Sequence, residues 1–271
     1  AKLRLGQRGE PERVLRAACA FFDAGPPDRA TRGYSSHVAY GQLLLALIFD
    51  EAACPTRDRT LVRAVGAVRA SFEGAPGALN ENLARQLQVT ELACRVERPE
   101  ALLQLESRGH LPFLGGLKDL RGEVAPMTKV SSQQHLQVSG ALEELGVAHR
   151  LEEEVLPYVA DVRLLRRGRD GEEAQRLIEI DGPLHFMGRT SRYDMKSALK
   201  HRLLTKQGWR VHHIAWHDWP EHHHGRLNYL ARLLRAPAPG RILHEYRPLD
   251  EVAPTLTAGQ GPLPIEDGLS A

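Results

Sequence analysis

The spacing of apolar residues predicts a helical N-terminal region. The segment 41–53 is apolar on almost every side, which is typical of a buried helix. Apolar residues recur every three or four positions in 56–72 and 76–94, and a shorter helix is predicted over 99–105. Prolines and glycines separate these segments. We therefore predict stacked helical hairpins over residues 1–110, with no repeat of fixed period.

From residue 131 onward, the pattern changes to one of alternating helices and strands. The first helix begins at a capping serine and ends at a glycine, which are the usual start and stop signals. The first two strands flank Gly168–Gly171, a run of turn-forming residues, so they are predicted to form a hairpin. The predicted elements are helices over 131–145, 193–207 and 225–235, and strands over 158–165, 175–180 and 209–216.

These patterns predict an α+β protein with two folded regions. The helical scaffold over 1–110 is followed by a connector rich in glycine and proline over 111–130. An α/β domain is predicted over 131–236, with its second strand at the centre of the sheet. The remaining residues, 237–271, are again rich in proline and glycine, so we predict an irregular tail.

The composition excludes several classes of protein. With 271 residues, 42% of them hydrophobic and 26% charged, the chain can bury an ordinary globular core. Its longest apolar run, 43–49, is far shorter than the roughly 20 residues of a membrane span, so no membrane partner is expected. The segment 1–35 lacks the apolar stretch of a secretory signal. The cysteines Cys19, Cys54 and Cys94 are too widely spaced to suggest a disulfide framework or a cysteine-rich zinc site.

The charge is unevenly distributed along the chain. The net charge is only +2, but the segment 196–235 carries eight lysines and arginines against two acids, a formal charge of +6 before its histidines are counted. A locally basic segment in a nearly neutral chain is a candidate for binding a polyanion. The alternative is a solvated helical face with no ligand. The segment 143–154, by contrast, carries five glutamates and one arginine.

A cluster of acidic residues is predicted at the end of the second strand. Alternation along the strand places Glu179 and Asp181 on one face, and His185 follows the Gly182-Pro183 turn. Asp161 would join them if the hairpin has a suitable register. Converging carboxylates of this kind can hold a divalent cation for phosphodiester hydrolysis. The alternative is a structural strand end in which Asp181 caps the turn and Glu179 pairs with an arginine.

Two motifs in this region resemble the RAP domain. They are IEIDGPLHF, over 178–186, and LKHRLLTKQGWRVHHIAWHDW, over 199–219. The upstream segment SSQQHLQVSGALEELGV, from residue 131, is similar to the lead-in to that domain. The matching positions are Ser131, Gln134, Val138, Leu142, Gly146, Glu179, Asp181, Gly182, Pro183, His185, Phe186, Leu199, Lys200, Arg202, Leu204, Gly208, Val211 and Trp219.

The resemblance implies an organellar RNA-binding protein. RAP domains occur in apicomplexan, FAST-kinase-like and algal organelle proteins that act on organellar transcripts and ribosomal RNA. The resemblance therefore implies that the protein is located in the mitochondrial matrix. It also implies ribosomal RNA or an organellar transcript as the RNA partner, and ribosomal or other RNA-particle proteins as protein partners. No small-molecule substrate is expected. The candidate RNA contacts are Lys196, Lys200, Arg202, Lys206, Arg210 and, for base stacking, Trp219.

The same pattern is similar to very-short-patch-repair-like endonucleases of the PD-(D/E)xK fold. The resemblance matches Asp161 and Glu179 to the acids of that motif, but Asp181 stands where many members carry lysine. That lysine helps to stabilise developing charge. We therefore expect no turnover, no cofactor and no metal. If the alternative of an RNA endonuclease holds, Mg²⁺ would act with Asp161, Glu179, Asp181 and His185. A second alternative is a protein-interaction scaffold.

Histidines and tryptophans are frequent between residues 209 and 224. The histidines of 212–224 match no zinc spacing, and His213 and the His222–His224 run are interpreted as surface residues. Trp209 and Trp216 are interpreted as core residues, in contrast to Trp219. Phosphate-loop, dinucleotide-binding, serine-hydrolase and zinc-protease motifs are all missing from the sequence, which disfavours those chemistries.

Overall fold

The computed structural model divides the chain into two compact units, Ala1–Thr128 and Lys129–Ala271. The residues that the structure describes are 34–49, 54–72, 79, 81–117, 132–165, 175–188, 190–240 and 242. Cys19, the segment 1–33, the 168–171 turn and nearly all of the predicted tail lie outside these residues. Within the described part of the chain, no helix is both long and apolar enough to cross a membrane.

The N-terminal unit is built from helices, as the apolar spacing predicts. Its helices are α1 (Tyr34–Phe49), α2 (Pro55–Phe72), α3 (Glu81–Glu97), α4 (Pro99–Ser107) and α5 (Leu111–Gly116). Pro55 and Pro99 each stand at a first helical position, where the missing N–H of proline costs nothing. α1 begins seven residues before the predicted start, and α3 begins five residues after its predicted start.

A buried ion pair lies inside this helical unit. Arg98, between α3 and α4, donates from Nη1 to Oδ1 of Asp58 on α2 over 2.7 Å, and both side chains are almost fully buried. The surrounding core is aliphatic, with Leu61, Leu87 and Leu105 fully buried. Removing one partner of such a pair leaves an uncompensated buried charge, so the pair fixes the arrangement of α2 against the α3–α4 corner.

The first residues of the predicted connector belong to the helical unit. α5 lies within the segment 111–130, where no helix was expected. The side-chain amide of Gln88 on α3 donates to the Leu117 carbonyl over 2.8 Å, and both Leu114 and Leu117 are buried. The helical packing therefore continues through Leu117, and the described residues resume at 132.

The C-terminal unit contains a four-stranded sheet between helices. Its elements are α6 (Gln133–Glu144), β1 (His149–Val155), β2 (Tyr158–Leu164), β3 (Arg176–Asp181), a 3₁₀ turn (Pro183–His185), α7 (Met195–Lys206), β4 (Arg210–Ala215) and α8 (His223–Arg235). The strand order is β1-β2-β3-β4; β2 is antiparallel to β1 and β3, whereas β3 and β4 are parallel. The predicted α+β class, hairpin and inner position of β3 are confirmed.

Strand β1 was not predicted, because its sequence lacks the usual alternation. It contains three consecutive glutamates, and Val155 is its one buried residue. It forms an edge of the sheet, where charged side chains are tolerated and discourage pairing with other chains. Arg163 on β2 donates to Glu153 over 2.7 Å, so part of the glutamate charge is balanced across the strand pair.

Helix ends in this unit follow the signals in the sequence. Ser132 caps α6 by accepting from the N–H of His135, and Asp194 caps α7 by accepting from the N–H of Ser197. Gly146 and Gly208 follow α6 and α7 with φ of 68° and 95°, a conformation that favours glycine. At these glycines the chain leaves each helix and turns into the next strand, β1 after α6 and β4 after α7.

The two faces of the sheet are packed by different helices. Ile178, Ile180 and Ile214 form one core with residues of α6 and α8, including Leu142 and Leu230. On the opposite face, Leu177 and Val211 pack with Leu204 of α7. Because side chains alternate along a strand, Glu179, Asp181 and His213 lie on the α7 face. The two carboxylate side chains of β3 therefore face α7.

Candidate functional site

The hairpin register brings Asp161 and Glu179 together. β2 and β3 pair Val162 with Ile178, so Asp161 lies beside Glu179 on the next pair of positions. Oδ2 of Asp161 accepts from the backbone N–H of Ile180 over 2.7 Å, which holds its carboxylate against β3. The structure thus confirms the proximity of the two carboxylates that was expected from the sequence.

Lys200 supplies a cation to this acidic pair. Its Nζ makes a short contact with Oε2 of Glu179 and donates to the Val159 carbonyl over 2.8 Å. The ammonium also lies 6.0 Å from the ring centre of Tyr158. Lys200 is therefore not the exposed helix charge that was expected, because its side chain points from α7 to the buried carboxylate. A contact between Lys200 and RNA stays a prediction. The expected arginine partner of Glu179 is likewise replaced by this lysine.

Burial and hydrogen bonds act in opposite directions on the two carboxyl groups. Burial raises the pKa of Glu179 to about 7, against the opposing effect of the Lys200 ammonium. Burial would also raise the pKa of Asp161, but the hydrogen bonds from His135 and the Ile180 N–H hold it below its ordinary value. His135 Nε2 lies 3.3 Å from Oδ1 of Asp161. Asp161 therefore stays ionised, and both of its oxygens have hydrogen-bond partners.

Asp181 is buried within a separate hydrogen-bond network. Its Oδ2 accepts from the Tyr193 hydroxyl over 3.0 Å and from Nδ1 of His213 over 2.6 Å. His213 Nε2 in turn lies 2.9 Å from Nδ1 of His201 on α7. Because a carboxylate only accepts hydrogen bonds, His213 carries a proton on Nδ1. Burial, followed by the neighbouring His213, lowers the pKa of His201 to about 4, which keeps that imidazole neutral.

This network corrects two interpretations from the sequence. Asp181 was expected to cap the Gly182-Pro183 turn, but its side chain is held by a tyrosine and histidines instead. His213 was interpreted as a surface residue, yet it bridges Asp181 and His201 inside the unit. The sequence signal was available: His213 alternates with the buried Val211 on β4 and so faces the same helix.

His185 has the most accessible side chain of the predicted acidic site. Its Nδ1 lies 3.2 Å from Oδ1 of Asp181 and 3.1 Å from the Ser197 hydroxyl. A relay for serine activation needs the acid and the hydroxyl on opposite nitrogens of the imidazole. Here one nitrogen meets both groups, so the arrangement positions His185 and does not activate Ser197.

The other predicted RNA contacts have different environments. Lys196, Lys206 and Arg210 are exposed, whereas Arg202 is half-buried. Trp219 is packed against α6 and α8, where its Nε1 donates to Gln137 over 2.9 Å and its ring meets Tyr229 edge-on. The prediction of Trp219 as a stacking surface is therefore not supported.

Trp216, rather than Trp219, carries an exposed ring. Its side chain is 39% exposed just after β4, contrary to the expected core position. Trp209 is half-buried against the α7-facing core, with the Arg163 guanidinium 5.5 Å from its ring centre, in agreement with its interpretation as a packing residue. His222, His223 and His224 are exposed, as expected, and His223 lies 2.8 Å from Glu144.

The acidic cluster does not form a metal site as it stands. Across the described residues, no three histidine, cysteine, aspartate or glutamate side chains are arranged to hold a metal ion. Lys200 occupies the side of Glu179 where a cation would be needed, and Asp161 is committed to His135 and the Ile180 N–H. Oε1 of Glu179 is one of several buried side-chain oxygens that have no hydrogen-bond partner in the described part of the chain.

Comparison with protein families matches this sheet-and-helix segment to one family model. Residues 178–233 match the RAP domain, from β3 through most of α8. The chain therefore contains a RAP domain, as its IEIDGPLHF motif and the following basic helix indicated. RAP domains are generally RNA-binding domains. The match includes Glu179, Asp181 and Lys200, so the buried Glu179–Lys200 pair lies inside the matched segment.

Proposed function

We propose that this protein binds RNA through its RAP domain without turning it over. The observation that carries the proposal is the RAP match over residues 178–233. We further propose ribosomal RNA as the ligand, or an organellar transcript, in the mitochondrial matrix. In this proposal the chain is a component of a mitochondrial ribosome or another RNA particle, with proteins of that particle as neighbours. The resemblance to organellar RAP proteins supports this address.

The exposed cations of α7 and β4 support an electrostatic contact with RNA. Lys196 and Lys206 stand ten residues apart on α7, which is about 15 Å along a helix. Arg210 begins β4 immediately after that helix. These three side chains can meet phosphates at separate points on one RNA segment. The exposed ring of Trp216 adds a surface on which a base can stack.

We expect reversal of the two exposed lysines to weaken RNA binding and its dependence on salt. Each lost phosphate contact lowers the slope of log affinity against log salt by about 0.9 for duplex and about 0.7 for single-stranded RNA. Lys196→Glu with Lys206→Glu should therefore lower the slope by roughly 1.4 to 1.8. The measurement is fluorescence anisotropy with a structured RNA across a salt series.

A matched control separates this surface from general charge effects. Arg59→Glu with Arg150→Glu reverses two exposed arginines on α2 and on the edge strand β1. That control should retain the parent slope. Equal losses in the two double variants would contradict the α7 surface, and salt-independent binding or no binding would favour the protein-scaffold alternative. Ribosomal RNA co-purifying with the chain from mitochondria would support the ribosomal part of the proposal.

The arrangement of the acidic cluster supports binding without catalysis. Phosphodiester hydrolysis by the expected endonuclease mechanism needs a metal ion that both carboxylates can reach. In this chain, the ammonium group of Lys200 pairs with the Glu179 carboxylate and balances its charge, and Asp161 accepts two hydrogen bonds. The cluster therefore has a structural role, in which its hydrogen bonds and ion pair join β2, β3 and α7. Because Lys200 places a cation beside the acids, the aspartate at position 181 does not by itself account for inactivity.

We expect RNA to stay intact in the presence of divalent cations. The test incubates the purified chain with its RNA in magnesium or manganese, beside a variant carrying Asp161→Asn and Glu179→Gln. Gel analysis should show the same full-length RNA in both samples. Cleavage by the parent that the variant lacks would promote the endonuclease alternative.

A further inference from the structure

A cavity of about 510 Å³ opens where β3 and β4 begin. Arg176 and Arg210, the first residues of these strands, are paired in register. The end of α8, from Leu234 onward, closes the other side together with residues 235–238. We refer to this cavity as the amino-edge pocket. It lies on the α8 face of the sheet, whereas Glu179 and Asp181 face α7 at the opposite ends of the strands.

The lining of the amino-edge pocket is strongly cationic. Arg176, Arg210 and Arg235 contribute three guanidinium groups, and His212 contributes an imidazole. None of the described residues that line it is acidic. Three like charges around one cavity repel each other unless an anion joins them. Planar guanidinium groups match the oxygens of a phosphate and bind it through paired hydrogen bonds.

One of these arginines is held in place by the fold. Arg176 Nη2 donates to the Leu234 carbonyl over 2.8 Å and lies 3.3 Å from Nε2 of His212. Because a guanidinium only donates, His212 accepts through Nε2 and is neutral. Burial, followed by the Arg176 charge, lowers the pKa of His212 to about 4. The positive charge of the pocket therefore comes from its arginines, and Arg176 is pre-oriented by β4 and α8.

We infer that the amino-edge pocket binds a phosphate group of RNA and contributes to affinity without reading sequence. This inference rests on the proposed function, and it adds a defined anion site to the exposed lysines of α7. Apart from His212, no aromatic ring is among the described lining residues, so the pocket offers no platform for a base. Arg210 and Arg235 are exposed, so their side chains can move to donate hydrogen bonds to a phosphate that is bound at Arg176.

The test follows the arginine side chains of the full chain by NMR. The Nε–Hε signals of Arg210 and Arg235 are recorded during titration with inorganic phosphate, adenosine 5′-monophosphate or adenosine at constant ionic strength. We expect the first two ligands, but not adenosine, to shift these signals. Arg210→Gln with Arg235→Gln should lose about tenfold or more in phosphate affinity. Arg232→Gln, an exposed arginine one turn earlier on α8, should retain it.

The source of the phosphate is decided by competition. If the pocket holds a phosphate of RNA, saturating RNA should displace inorganic phosphate from these signals, and the double variant should bind RNA more weakly than Arg232→Gln does. Phosphate that stays bound beside RNA, or binds a chain that takes no RNA, would overturn the assignment to RNA. Equal shifts with adenosine and its monophosphate would overturn the phosphate site itself. RNA binding that remains at parent strength in the double variant would overturn the pocket and leave the proposed function standing.

Discussion

Replacing Lys200 with methionine is expected to destabilise the C-terminal unit by about 3 kcal/mol. A lysine on an exposed helix face rarely contributes more than about 0.5 kcal/mol. Lys200 differs because its ammonium meets the buried Glu179 and the Val159 carbonyl, and only 21% of its side chain is exposed. Without the lysine, Glu179 must be buried either as an unpaired charge or as a neutral acid with an unsatisfied hydroxyl.

Thermal unfolding with the matched variant Lys196→Met measures this effect. Lys196 is exposed one turn earlier on the same helix, so its replacement should leave the unfolding midpoint almost unchanged. For Lys200→Met we expect a drop of about 6 to 12 °C, which is about 2 to 4 °C per kcal/mol at this chain length. Adding Glu179→Gln to Lys200→Met should restore part of the loss, since it removes the unpaired carboxylate. Equal midpoints for the two lysine variants would contradict the buried ion pair.

Replacing Asp181 with alanine is expected to cost about 3 to 5 kcal/mol and to disorder the contacts around His185. The carboxylate accepts from Tyr193 and His213, and it also lies within 3.2 Å of His185. Its removal leaves a buried hydroxyl and a buried imidazole without their acceptor. The loss should therefore exceed that of any single hydrogen bond in the network.

Tyr193→Phe supplies the control for the Asp181 network. It removes one donor and leaves the carboxylate with His213, so a loss of about 1 kcal/mol is expected. Denaturant unfolding gives the two free energies, and nitrogen shifts of the imidazoles report the tautomers of His213 and His201. A loss for Asp181→Ala no larger than that for Tyr193→Phe would show that Asp181 does not organise the network.

Local sequence signals were sufficient for most of the elements around this site. Apolar alternation in 175–180 predicted β3, and a capping residue followed by a basic helix predicted α7. The expected proximity of Asp161 to Glu179 depended only on the hairpin register, and that register is observed. The strand β1 was missed because an edge strand need not be apolar on either face. Its three consecutive glutamates interrupt the alternation of apolar and polar residues that indicates a strand.

Side-chain partners were much harder to predict than the elements that carry them. Lys200 and Lys196 share one helical face in sequence, yet Lys200 is directed toward a buried acid and Lys196 toward solvent. Trp216 and Trp219 are three residues apart, and their predicted environments were exchanged: Trp216 is exposed, whereas Trp219 donates to Gln137 on α6. These distinctions depend on partners 21 and 82 positions away, which no local pattern contains.

The sequence by itself determined the secondary structure of the RAP domain, its basic character and the acids at the end of β3, because these depend on periodicity, turn residues and composition. Only the tertiary structure decided which charges meet. The parallel pairing of β3 with β4 places Arg176 beside Arg210, and the packing of α7 places Lys200 against Glu179. Sheet register and helix packing are set by contacts between distant segments, so the basic pocket and the neutralised acidic cluster emerge only from the folded chain.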